Sequence, residues 1–104
     1  MSRIVTKIHF YSSEDGGRSQ TLPPSNYGCP VYFQDIAELS STAYDCRILV
    51  NQHEEPITPG DTINELAIAF LSSDFVLPFL KSGVKFKLWE SKFIGDGEIV
   101  RIEP

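Results

Sequence analysis

His9, His53, Cys29 and Cys46 are the side chains of this sequence best suited to acid–base, nucleophilic or metal chemistry at neutral pH. His53 is followed directly by Glu54 and Glu55. Three consecutive donors in one loop lack the geometry that converges ligands on a single ion, so the run reads as solvated polar residues. Cys29 would become a nucleophile only with a base such as His9 at hydrogen-bond distance, and nothing in the spacing requires that. The two cysteines are too few for a disulfide framework and too far apart for a zinc knuckle, so both read as free thiols, with Cys46 in the core. Gly95-Asp96-Gly97 is a fragment of a glycine-rich motif. With no helix after it to receive a phosphate, it reads as a bulge or sharp bend in a strand. No Gly-x-x-x-x-Gly-Lys-Ser/Thr loop occurs. The expectation is a chain with no catalytic residues, cofactor or metal. Lys81, Lys85, Lys87 and Lys92 surround Trp89 and could form a nucleic-acid or protein contact surface. Lysines of this kind also keep an edge strand soluble.

The elements that must position these residues are short apolar segments separated by turn signals, the pattern of an all-β sandwich or barrel. Ile4, Thr6, Ile8 and Phe10 alternate with Val5, Lys7, His9 and Tyr11, which predicts a half-buried strand. Ser12–Arg18 breaks it, with Gly16-Gly17 supplying a tight turn. Leu22-Pro23-Pro24 must be extended or looped. Val31-Tyr32-Phe33 is the next β-rich stretch. Tyr44, Cys46, Ile48 and Val50 then point one way, with Asp45, Arg47 and Leu49 on the other side. Pro59-Gly60-Asp61 marks a turn. Residues 62–71 fit either period: Leu66, Ile68 and Phe70 as a strand face, or Ile63, Leu66, Ala67, Phe70 and Leu71 as a helical stripe behind a Thr62…Glu65 capping box. The neighbouring strands favour β. Phe75-Val76-Leu77-Pro78 is a short apolar piece that Pro78 should end or place on an edge. Val84, Phe86 and Leu88 inward, with Lys85, Lys87 and Trp89 outward, begin a hairpin that turns at Glu90-Ser91-Lys92 and returns over 93–102.

A chain of 104 residues suits one domain, 1–104, able to bury about 65% of its unfolded surface. With 9 Lys/Arg against 14 Asp/Glu, the formal charge is 9 − 14 = −5, so no overall attraction draws the molecule to phosphate backbones. The longest apolar run, 66–71, is far short of a membrane span, and Met1–Lys7 holds no apolar leader. The expected location is the cytoplasm, with neither membrane nor DNA as a partner. The starting Met1 and the closing stretch 98–102 read as a complete short protein.

Three stretches in order resemble the C-terminal barrel domain of translation elongation factor Tu. Residues 8–33 run from a strand through Ser12-Ser13-Glu14-Asp15 into Gly16-Gly17-Arg18, then through Asn26-Tyr27 to Val31-Tyr32-Phe33. Pro59-Gly60-Asp61 opens an apolar strand. Gly83-Val84-Lys85-Phe86-Lys87-Leu88-Trp89-Glu90 returns through Ile94-Gly95-Asp96-Gly97-Glu98-Ile99-Val100. The resemblance implies a six-stranded antiparallel, Greek-key-like closed barrel and favours a strand at 64–71. Residues 38–42 and 71–80 look longer than the family's equivalents and could carry an inserted short helix. In the family this barrel follows a GTPase domain and a second barrel, helps hold aminoacyl-tRNA and contacts the nucleotide-exchange factor. Neither preceding domain is in this chain.

Several of the family's basic positions are altered. Ser19-Gln20 replaces His-Thr, Gly28 and Gln34 stand in place of arginines, and Ser91-Lys92-Phe93 replaces Gly-Gly-Arg-Thr. Loss of those guanidinium groups weakens phosphate binding. The resemblance therefore implies a non-enzymatic module for a translation-related protein partner, or a mimic of the factor's own barrel. The candidate contact residues are Gly16, Gly17, Arg18, Asn26, Tyr27, Lys92, Ile94, Gly95, Asp96 and Gly97. The alternative is a barrel that binds tRNA or other RNA through Arg18 and the Lys81–Lys92 hairpin.

Overall fold

The computed structural model describes residues 3–103. Met1 and Ser2, part of the stretch read above for a leader, and Pro104 lie outside the described residues. Six strands form one closed antiparallel barrel: β1 (Arg3–Phe10), β2 (Tyr27–Tyr32), β3 (Tyr44–Ile48), β4 (Thr62–Phe70), β5 (Lys85–Trp89) and β6 (Phe93–Glu103). Around the barrel the order is β1-β4-β3-β2-β5-β6, and β6 closes on β1. Strands β2, β3 and β4 run as a meander with β1 returning beside β4, a Greek-key arrangement.

The ambiguous segment is a strand. Leu66, Ile68 and Phe70 are buried as the period-two reading requires. Strand wins because this segment closes the sheet between β1 and β3, whereas a helix there would leave both edges unpaired.

The interior is filled by side chains from every strand: Ile4, Ile8 and Phe10 of β1, Cys29 and Val31 of β2, Cys46 and Ile48 of β3, Leu66, Ile68 and Phe70 of β4, Phe86 and Leu88 of β5, and Ile94 and Ile99 of β6. Thr6 is the one buried polar side chain among the described residues, and its hydroxyl donates to the Leu66 carbonyl at 2.8 Å. Loops add further core residues. Leu22, Leu39 and Ile57 are buried although none belongs to a strand, and the Leu22 amide donates to the Ile57 carbonyl at 2.9 Å.

Three register shifts allow the narrow barrel to curve: one in β4 opposite Thr6–Ile8, and two in β6, at Phe93–Ile94 and at Val100. The bulge expected at Gly95-Asp96-Gly97 is therefore displaced. That tripeptide stays in register with both neighbours, Gly95 opposite Phe10 and Leu88, and Gly97 opposite Ile8 and Phe86. The glycines occupy inward positions, where absence of a side chain makes room for large residues on the strands beside them. An added Cβ at Gly97 would lie 2.5 Å from the Phe86 ring and 2.9 Å from the Lys7 carbonyl oxygen.

The two segments that could carry an inserted helix behave differently. Residues 38–42 form turns rather than a helix, with Leu39 folded inward. Phe75-Val76-Leu77-Pro78 is helical rather than an edge strand: α1 (Ser73–Val76) continues into one 3-10 turn over Leu77–Phe79. Pro78 is tolerated because it stands in the first turn, where its missing amide costs no helical hydrogen bond. This is the short insertion anticipated near 71–80. It folds back so that Val76 and Leu80 are buried and Phe75 is not.

The turn at Pro59-Gly60-Asp61 forms as read. Gly60 adopts φ +94°, and the Asp61 carboxylate accepts from both the amide and the hydroxyl of Thr58, at 2.9 and 3.0 Å. Asp61→Ala removes both hydrogen bonds and should lower stability by about 1 kcal/mol, read from urea unfolding.

Candidate functional site

The glycine-rich loop after β1 crosses the β5–β6 turn, where Arg18 reaches Glu90. Gly16 takes φ +92° in the turn, and Gly17 is buried against the Tyr11 carbonyl with no room for a side chain. The chain then sends Arg18 across Tyr27. Its guanidinium lies 5.2 Å from the Tyr27 ring centre, donates to the Tyr27 hydroxyl at 2.8 Å and pairs with the Glu90 carboxylate. A third donor reaches the Gln20 carbonyl at 3.3 Å. A neighbouring strut joins the Tyr11 hydroxyl to Asp96 at 3.0 Å. Partial burial and that hydrogen bond both raise the Tyr11 pKa, so the phenol stays protonated and donating.

This geometry sorts the candidate contact residues. Gly17, Ile94 and Gly95 are buried and present no surface. Arg18 is mostly enclosed and engaged by Glu90 and Tyr27, while Tyr27 is half-buried beneath it. Gly16, Asn26, Lys92 and Asp96 are exposed, and Gly97 is half-buried. Arg18 and Tyr27 are brought together, whereas Asp96 and Gly97 line a different feature.

That feature is an open groove of about 470 Å³ on the outer wall. Two cross-strand rows build it. One runs Thr62, His9, Asp96, Lys87, Tyr32 over five strands, and the other runs Lys7, Glu98, Lys85 over three. Asp96 stands beside Lys87, and Glu98 stands between Lys7 and Lys85, so the lysines do not make a uniformly basic strip. Among the described residues no ion pair joins these lysines to Asp96 or Glu98. His9 is held through Nδ1, 2.9 Å from the Thr62 hydroxyl. Beside the groove, Trp89 packs edge-on against Phe93 at 5.1 Å and Tyr32 at 6.1 Å, and the Lys87 ammonium covers the Phe93 ring.

Cys29 and His9 stand on strands that are not neighbours, one facing in and the other out. No nucleophile–base pair forms between them. Burial pushes the Cys29 thiol up to about 11, and burial raises Cys46 as well. Among the described residues no three His, Cys, Asp or Glu side chains gather to hold a metal ion. Among the same residues no helix is long and apolar enough to cross a membrane.

Sequence reasoning missed one surface. Leu71 is 59% exposed and Phe75 is 54% exposed, at the end of β4 and on α1. Phe75 packs 5.9 Å from the Tyr44 ring and 6.0 Å from Phe79, so these three rings form a contiguous aromatic cluster. The only signal was the apolar content of 71–79, in a segment that could carry an inserted helix. A search against protein-family models finds no match to this chain, and neither does a search of curated proteins.

Proposed function

We propose that this chain is a non-enzymatic binding module for a protein partner. In its finer form, the barrel is built like the C-terminal domain of elongation factor Tu, and it contacts a translation component or imitates the factor's own barrel. One observation carries the reading: the exposed Phe75 ring, packed on Tyr44 and Phe79, with Leu71 also exposed four residues before it. Large apolar side chains left contiguous on a small monomer's surface mark contact sites, and aromatic anchors dominate the energy of such contacts. The closed Greek-key barrel supports the resemblance, and the Arg18–Tyr27–Glu90 cluster serves as a brace for that scaffold.

The test compares tagged wild type with Phe75→Asp in capture from a cell lysate. Phe75 is solvent-facing, so the variant should keep the fold, with an unchanged far-ultraviolet spectrum as the check. Wild type should retain a translation protein and the variant should lose at least about tenfold of it, the loss of a modest anchor. Equal capture by both would discard this surface, and the absence of any translation protein would discard the translational version.

The RNA reading rests on Arg18 and the Lys81–Lys92 hairpin around Trp89, of which Lys85 and Lys87 line the groove together with Lys7. The interleaved Asp96 and Glu98 and the engaged Arg18 weigh against it. Titration with tRNA at low ionic strength should show no steep salt dependence. A slope corresponding to several phosphate contacts would reverse the preference.

A further inference from the structure

Cys29 and Cys46 are directly opposite each other on β2 and β3, and both thiols are free and buried. Opposed residues of an antiparallel pair point to the same face with Cα atoms about 4.5 to 5.5 Å apart. That spacing lies inside the range of about 4.4 to 6.8 Å that a disulfide spans. The sequence separation hid this, because only the strand pairing brings the two together.

Cys29 has a second role. The β2–β5 ladder covers only Val31–Leu88 and Tyr32–Lys87. Next along β2 comes Pro30, which has no amide to donate. Beyond it the Cys29 thiol donates to the Trp89 carbonyl at 3.4 Å, bridging the seam where the ladder stops.

We propose that Cys29 and Cys46 form an oxidisable cross-strand pair whose conversion to a disulfide withdraws the thiol donor from Trp89 and loosens the β2–β5 seam beneath the Tyr32–Trp89–Phe93 cluster. The inference does not depend on the function proposed above. The oxidant is a peroxide, whose small size suits an enclosed site. The Cys29 thiolate attacks one peroxide oxygen, the O–O bond breaks, and the departing hydroxide takes the proton Cys29 released, forming water. The Cys46 sulfur then attacks the Cys29 sulfur and expels the hydroxyl oxygen. That oxygen takes the Cys46 proton and leaves as a second water. Two electrons pass from the sulfur pair to the peroxide.

Burial sets the pace. At Cys29 desolvation favours the thiol and the Asp45 charge adds to it; together they outweigh a backbone hydrogen bond at Trp89 and the Arg18 guanidinium, which favour the thiolate. Around Cys46, Arg47 favours the thiolate while Asp45 and Cys29 oppose it. The raised Cys29 pKa leaves little thiolate at pH 7, so oxidation should be slow there. It should accelerate with pH up to about 11, well past the plateau near 8.5 of an ordinary cysteine.

The experiment treats the full chain with hydrogen peroxide, then alkylates it in denaturant and measures intact mass. The expected product is a monomer two hydrogens lighter with neither cysteine alkylated, restored by dithiothreitol. Trp89 is the only tryptophan, so its emission should change with the mass and recover on reduction. Cys46→Ser should abolish both changes, and the wild-type mass result stands on its own if that variant fails to fold. Two cysteines still alkylated after peroxide, separate oxygen adducts without a cross-link, or disulfides only between chains would overturn the pair. A cross-link with unchanged emission would overturn the coupling to Trp89.

Discussion

Gly97→Ala should destabilise the barrel by about 3 kcal/mol, the upper part of the range for overpacking a filled core. The new methyl would stand 2.5 Å from Phe86 Cζ, 2.7 Å from Cε1 and 2.9 Å from the Lys7 carbonyl oxygen. Neither neighbour has an easy retreat. Phe86 is buried with its ring against Phe33, and the Lys7 carbonyl belongs to the β1 backbone that closes the barrel on β6. Because one obstacle is a side chain and the other is backbone, Phe86→Leu in the Gly97→Ala background should recover only part of the loss. Gly16→Ala is the contrast: nothing lies within 4 Å of its added Cβ, and only the φ of +92° resists. That change should cost about 1 kcal/mol. Urea unfolding of the three variants orders them, and a Gly97→Ala midpoint equal to that of Gly16→Ala would refute the packing argument.

The same glycine shows what could be read from the residues alone. Alternation in 4–10, 44–48 and 84–88 exposed the strands because each buries one face, and a period of two is visible without knowing the partner strand; at Leu49 and Val50 it misleads, since the strand ends at Ile48 and both side chains are buried. The punctuation at Gly16-Gly17 and Pro59-Gly60-Asp61 was legible for the same local reason. Gly95-Asp96-Gly97 stands out in the sequence, but its local pattern does not reveal its cause. A bend and a flat strand facing large partners demand glycine alike, and only the register opposite Phe86 and Leu88 separates them. Leu22, Leu39 and Ile57 were hidden because loop residues that plug a barrel have no period. The candidate contact residues were placed together at Arg18 and Tyr27, yet spacing could not foretell that Glu90 would occupy the guanidinium. Nor could it foretell that α1 would turn Val76 in and Phe75 out, since four residues are too few to display a helical stripe.

Phe33→Ala should be the most damaging single truncation, costing about 4 kcal/mol against a total of roughly 5 to 15 for a domain of ordinary stability. Phe33 is fully buried just beyond the end of β2, with its ring 5.6 Å from Phe70 and 6.1 Å from Phe86. It therefore joins β4 and β5, which do not pair with each other in the barrel. Strands hydrogen-bonded side by side can hold register through their ladders, whereas contacts across the interior depend on side chains alone. Removing the ring opens a cavity whose lining is fixed by closure, so collapse is limited and the cavity contribution stays large. Phe33→Leu, which keeps most of the volume, should cost about 1 to 1.5 kcal/mol. A double-mutant cycle with Phe70→Ala should show coupling of about 0.5 to 1.5 kcal/mol from the lost aromatic contact. If both single truncations add without coupling, the interior is not organised around this stack. The barrel would then owe its stability chiefly to the ladders and to the loop residues that seal it.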